Sequence, residues 1–232
     1  ANKVSTGELN IPSDKTIESK VWGQVTGMAD AYNDPGRFTA FIGYEWSSLP
    51  GGNNLHRNII YRDGASTAGQ MLPFSAIDSR NPEDLWRFLE SYEEQTGGRV
   101  MAIPHNGNMS NGLMFRDKSY SGEPLTRDLA HARARWEPIV EVTQIKGDGE
   151  THPYLSPEDE FADFETWDEG NFAQPRVPKV NDMLQYEYLR SALRLGLGVE
   201  SRIGVNPFKF GMIGSTDSHT ALSAVEENNY FG

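Results

Sequence analysis

Phe208-Lys209-Phe210-Gly211-Met212-Ile213-Gly214-Ser215-Thr216-Asp217-Ser218-His219 sets an apolar run against a carboxylate and an imidazole two residues apart. Phe208 to Ile213 reads as a buried strand, so Asp217 and His219 stand just past a strand end. Residues i and i+2 of an extended chain face the same side, which aims both groups at one spot. A hard oxygen beside an imidazole suits a divalent metal. Alone, Asp-x-His is equally a plain turn. It gains weight because two other histidines and a strand-borne glutamate occur in the same setting.

Working outward, residues 1–13 are polar and read as a surface lead-in. From Asp14 to about Tyr32, Ile17, Val21, Val25, Met28 and Ala31 recur at three- and four-residue steps, the pattern of an amphipathic helix. Phe38 to Trp46 reads as a strand, followed by a Gly- and Asn-rich loop, Pro50 to Asn54, and a strand Ile59 to Tyr61. Asn81-Pro82-Glu83-Asp84 is a helix start with a cap, Pro at the first position and acids in the first turn, and Gly97-Gly98 stops that helix. Arg99 to Ile103 is a strand, Leu125 to Trp136 a helix, Ile139 to Gln144 a strand, and Asn181 to Leu195 a helix. Residues 147–178 are acidic, aromatic and irregular, the character of a rim insertion, in which Asp159, Glu160, Phe161, Trp167 and Phe172 shape specificity. Helices alternating with short apolar strands imply an α/β fold with a parallel sheet or barrel. No internal domain boundary is evident, so 1–232 reads as one domain.

A chain of 232 residues with five Trp, nine Tyr and eleven Phe has ample material for a sizeable core. Lys and Arg number 21 against 33 Asp and Glu, a net charge of −12, which argues against a nucleic-acid backbone as partner. A small anionic substrate stays compatible, because bound metals reverse the local field. With no cysteine there is no disulfide, thiolate metal site or cysteine nucleophile. No apolar run reaches the roughly 18 residues of a spanning helix, so no membrane association is expected. Ala1-Asn2-Lys3 has no apolar leader character, as expected of a chain whose signal peptide has gone. The compartment stays open, with a periplasmic or secreted location favoured over a cytoplasmic one.

The candidate site follows from position. Glu45, His105, Glu141 and the Asp217/His219 pair lie in or at the carboxyl ends of strands, and His56 starts one. Carboxyl ends of strands carry the active site in barrel and open α/β sheets. So many ligand-type groups on one rim suit a multinuclear metal centre, which binds phosphate-like oxyanions. Each residue also has a plainer reading. Glu45 could be an exposed strand-end acid, His56 a loop-packing histidine, Glu141 a solvent-facing residue, His152 a turn histidine, and Lys146 and Arg57 solvated cations. His131 sits on a solvated helix face and is set aside.

Together, Phe41-Ile42-Gly43-Tyr44-Glu45-Trp46, Pro50-Gly51-Gly52-Asn53-Asn54-Leu55-His56-Arg57-Asn58, Ile103-Pro104-His105-Asn106-Gly107-Asn108, Glu141 to Glu150 and Gly214 to His219 form a specific set. The set resembles a bacterial family of unknown-function domains, domain of unknown function 3604, attached to the PHP (polymerase and histidinol phosphatase) superfamily. The resemblance runs from about Thr16 to the last residue. It implies a distorted, TIM-like (β/α)7 barrel with two or three Mn, Zn or Fe ions at the strand ends, and phosphoesterase activity. By that pattern Glu45 bridges two metals, His56 and His105 hold one, and Asp217 and His219 reach others. Glu141 and Gln144 are then substrate-binding residues. A metal-bound hydroxide would attack phosphorus, with Lys146 or Arg57 stabilising developing charge and His152 protonating the leaving oxygen. Sulfate esters are a second substrate class. PHP proteins also carry an early His-x-His and a Thr-Asp-His-like motif, and neither occurs here. The resemblance therefore implies the C-terminal part of a barrel, with the missing ligands supplied by the remaining N-terminal part of the same protein. Two rival readings are an amidohydrolase-like amide hydrolase or deacetylase, and a non-catalytic PHP-like binding module.

Overall fold

The computed structural model describes residues 14–219, Glu226 and Asn228. The polar lead-in, residues 1–13, lies outside the described residues. Asp14 caps the first helix, α1 (Lys15–Tyr32), by accepting from the backbone N of Thr16 at 3.0 Å and of Ile17 at 3.3 Å. The helix is where the apolar periodicity places it, but the buried face is one position over. Trp22 and Thr26 are buried, while Ile17, Val21, Val25 and Met28 are exposed. Trp22 decides this: its indole donates to Ala68 O at 3.1 Å and its ring packs edge-on to Tyr44. The helix thus turns the large Trp22 ring into the core and leaves the aliphatic stripe facing outward.

Three strands follow, β1 (Ile42–Trp46), β2 (Arg57–Tyr61) and β3 (Val100–Pro104), and they form one antiparallel sheet in the order β1-β2-β3. This corrects the parallel arrangement expected from helix–strand alternation. The helices between β2 and β3, α2 (Ala65–Ala68) and α3 (Pro82–Thr96), leave and return at the same end of the sheet. Arg62 N donates to Arg99 O at 3.0 Å and closes that excursion like an extended hairpin loop. Within α3 the expected signals hold: Asn81 Oδ1 accepts from Glu83 N at 2.9 Å, and Gly97 ends the helix with φ of 70°.

The second sheet has the order β5-β4-β6, with β4 (Ile139–Gln144) antiparallel to β5 (Gly147–Asp148) and parallel to β6 (Gly211–Gly214). Before it comes α4 (Arg127–Trp136), capped by Thr126, and within its crossover lie α5 (Asn181–Leu184) and α6 (Leu189–Ile203). The sequence pattern predicts one continuous helix over 181–195. It breaks because the intervening backbone bonds elsewhere: Tyr186 O accepts from Phe115 N at 2.8 Å, and Leu189 N donates to Gly149 O at 2.9 Å. β6 is displaced from the expected Phe208–Ile213 and is exposed rather than buried. Phe208 carries the burial instead, edge-on to Phe115 and beneath the Arg133 guanidinium.

The architecture is mixed α/β, with two small sheets and six α-helices among the described residues. β3 packs beside β4, so the sheets adjoin. No closed barrel occurs among the described residues. The main core lies between β1–β3 and α1, α3 and α6, with Trp46, Ile59, Leu85, Leu89 and Ala192 fully enclosed.

Candidate metal centre

Antiparallel pairing turns scattered sequence positions into one site. Glu45 on β1 sits opposite Asn58, and Arg57 on β2 sits opposite Pro104 on β3. The start of β2 therefore lies between the ends of β1 and β3. His56, one residue before β2, and His105, one residue after β3, flank the Glu45 carboxylate. His56 Nδ1 is 2.5 Å and His105 Nε2 is 3.1 Å from the same oxygen, Glu45 Oε1. One ligand-type atom from each residue lies within 4.8 Å of those of the other two.

The local chain supports this placement. Asn54 donates through Nδ2 to His105 O at 2.8 Å and Asn106 O at 3.1 Å, tying the two ligand-bearing loops together. Asn106 turns the chain after His105 with φ of 56°, a region Asn tolerates better than most residues. Burial disfavours charge on Glu45, but hydrogen bonds from His105 and His56 outweigh it and hold the carboxyl well below its ordinary range. Burial lowers the His56 pKa. The same burial opposes His105⁺, yet the hydrogen bond and charge of Glu45, with the charges of Glu141 and Asp217, raise that ring. Each facing ring nitrogen can donate to the carboxylate as an N–H or, deprotonated, offer its lone pair to an ion. The opposite nitrogens, His56 Nε2 and His105 Nδ1, are buried without a hydrogen-bond partner.

Two imidazoles and a carboxylate are a donor set that fits a divalent first-row ion, and Glu45, His56 and His105 are the residues that would hold it.

The second sheet supplies neighbouring groups. Glu141 on β4 is buried, which removes its solvent-facing reading, and its Oε2 accepts from Ser215 Oγ at 2.8 Å. Burial pushes its pKa up against the lowering effect of His105. Gln144 Nε2 donates to Asp217 Oδ2 at 2.8 Å, and Lys146 Nζ pairs with that same oxygen. Asp217 has φ of 53°, so a turn rather than strand pleating aims it. His219 is exposed, with Nε2 4.0 Å from Glu45 Oε2 and Nδ1 2.8 Å from Asp217 O.

One family model spans nearly the whole sequence, residues 2–232. The chain belongs to that family, a protein of unknown function (DUF3604). No curated protein and no solved structure matches it.

Two site candidates of this DUF3604 chain bond to groups other than those of the cluster. Arg57 faces the core with Ile59 and Tyr61, and its guanidinium is committed to Glu137 and to Leu55 O. It is neither a solvated cation nor placed to clamp an oxyanion. His152 belongs to the 147–178 segment: Nε2 lies 2.9 Å from Asp168 Oδ2, and Nδ1 accepts from Tyr154 N at 3.0 Å. Conversely, sequence reasoning passes over Ser215, Asn54 and the part Phe172 plays beside His56. The Phe172 ring lies nearly parallel to that of His56, centroids 6.2 Å apart. Asn54 is legible in principle, as an amide in a Gly/Asn loop two residues from a histidine. The pairing of Phe172 with His56 has no local signal, being 116 positions distant.

Proposed function

We propose that this DUF3604 chain is a PHP-type, metal-dependent hydrolase of phosphate esters, its two sheets forming part of a distorted (β/α)7 barrel. One observation carries the reading: His56 and His105 converge on Glu45 Oε1 from two loops, beside a second carboxylate, Asp217, held by a lysine. Two or three Mn, Zn or Fe ions are the proposed cofactors, with Asp217 and His219 as ligands beyond the first three. A divalent ion there would polarise the phosphoryl oxygen and acidify a bound water. Glu45, kept ionised, supplies fixed negative charge that holds cations at the strand ends. Lys146, half-buried beside the cluster, would bind a phosphoryl oxygen and offset the charge that develops there. Gln144 and Asp217 orient the lysine: Gln144 Oε1 accepts from Lys146 N at 2.9 Å while the carboxylate holds Nζ. Glu141 lines the β4 side, where Ser215 fixes its carboxyl.

The test is turnover of an aryl phosphate, with and without Mn or Zn, in parallel with an aryl sulfate and an N-acetyl substrate. Metal-dependent release from the phosphate alone is expected. Release from the N-acetyl substrate alone would replace the proposal with an amidohydrolase reading. Metal binding with no turnover of any substrate would favour a binding module.

A further inference from the structure

A ligand histidine usually has its ring fixed by a hydrogen bond from the second nitrogen to a carboxylate, carbonyl or water. His56 lacks that support: Nδ1 meets Glu45, whereas Nε2 is buried without a hydrogen-bond partner. With one hydrogen bond, the ring must be held against rotation by packing, and among the described residues two rings meet it: His105, edge-on with centroids 5.6 Å apart, and Phe172. The group that lies flat against the ring is Phe172, with 13° between the planes. Parallel offset aromatic pairs at this range are attractive beyond their buried area.

Phe172 is itself held firmly. Its backbone N donates to Gly52 O at 2.8 Å. The neighbouring Asn171, wholly buried, donates to Asn53 Oδ1 at 2.6 Å and Gly51 O at 3.2 Å. Its Oδ1 accepts from Ala173 N at 3.1 Å and Val177 N at 3.0 Å, closing the strap on itself. Gly52, at φ of +86°, lies so close that a Cβ would meet Ala173 N at 2.5 Å. A side chain at Gly52 would therefore push the strap outward.

We propose that Phe172 is a positioning residue for His56, carried by the 171–173 strap, which keeps Nδ1 aimed at the Glu45 carboxylate. The inference rests on the reading of Glu45, His56 and His105 as a metal centre. It gives the 147–178 segment a defined role, because docking of the strap couples this insertion to the ligand set. Phe172 acts through another residue and touches no reacting atom.

The experiment is a Mn(II) and Zn(II) titration of the whole chain, read by Mn(II) electron paramagnetic resonance and by chelator competition. Phe172→Ala and the milder Phe172→Leu should weaken binding about 10- to 100-fold, the usual effect of losing support behind a ligand. Phe172→Trp, which restores a flat ring, should recover most of the affinity. In the metal-free protein, the His56 ring nitrogen resonances should shift in Phe172→Leu and return in Phe172→Trp. Arg176→Ala, at an exposed pair in the same segment, should bind as the unaltered chain does. Equal affinity in Phe172→Leu and the unaltered chain overturns the inference and leaves the metal centre standing. An equal loss in Arg176→Ala also overturns it, because segment stability then explains the effect. If the unaltered chain takes up neither ion, the metal centre falls and this role falls with it.

Discussion

Arg57 Nε donates to Glu137 Oε1 at 3.0 Å, with the two side chains only 1% and 2% exposed. Arg133 Nε reaches the other carboxylate oxygen at 3.1 Å, and Trp86 Nε1 donates to Oε1 at 2.9 Å. The acid thus joins β2, α3 and α4 inside the core. Removing one partner of such a pair leaves an uncompensated buried charge, so Glu137→Ala should cost about 3–5 kcal/mol of stability. Urea unfolding checks this. A loss below about 1 kcal/mol, the scale of an exposed pair, would mean the pair is not desolvated in solution.

The same residue gives the chain an acid-sensitive component. Burial favours the neutral carboxyl, but Arg57 and Arg133 outweigh it and lower the Glu137 pKa below its ordinary 4.5. A group whose folded pKa is depressed binds its proton more weakly when folded. Its stabilisation is therefore complete above the ordinary value and disappears as pH falls through the folded value. Between neutral pH and pH values below 4.5, the unaltered chain should lose more stability than Glu137→Gln. Parallel pH profiles for the two proteins would contradict this.

Glu45 Oε1 is the point both facing imidazoles share, so Glu45→Ala should reduce bound Mn or Zn to background. Elemental analysis after dialysis reads the metal, and circular dichroism checks that the fold persists. Undiminished metal in the variant would place the ligands elsewhere.

Lys146 pairs with Asp217 at the edge of the cluster, where Gln144 also binds that carboxylate. If the lysine stabilises developing phosphoryl charge, Lys146→Ala should lower kcat about 100- to 1000-fold, as loss of one oxyanion donor does. Metal content should be unchanged. Unaltered kcat would reduce Lys146 to a partner of Asp217.

Much of the local structure was legible. Asn81-Pro82 with Gly97 bounded α3, and residues 139–144 formed β4 as patterned, because caps, prolines and apolar runs act over a few residues. Where an expectation shifted, a distant contact had intervened. Trp22 rotated the buried face of α1 by meeting Ala68, and Phe115 drew Tyr186 out of a helix. In the site, residue types were readable and partners were not. Arg57 and His56 are adjacent in sequence, yet strand alternation sends one into the core and the other to Glu45.

Local chemistry thus set which segments became helix or strand, and which side chains could serve as ligands, since propensity, capping and donor type belong to the residues themselves. Strand direction, the one shared oxygen of Glu45, the burial of Arg57 and the strap over His56 were decided only in three dimensions. Each depends on pairing between residues far apart along the chain, and short-range pattern does not encode which distant partner removes the most surface from water while satisfying every buried polar group.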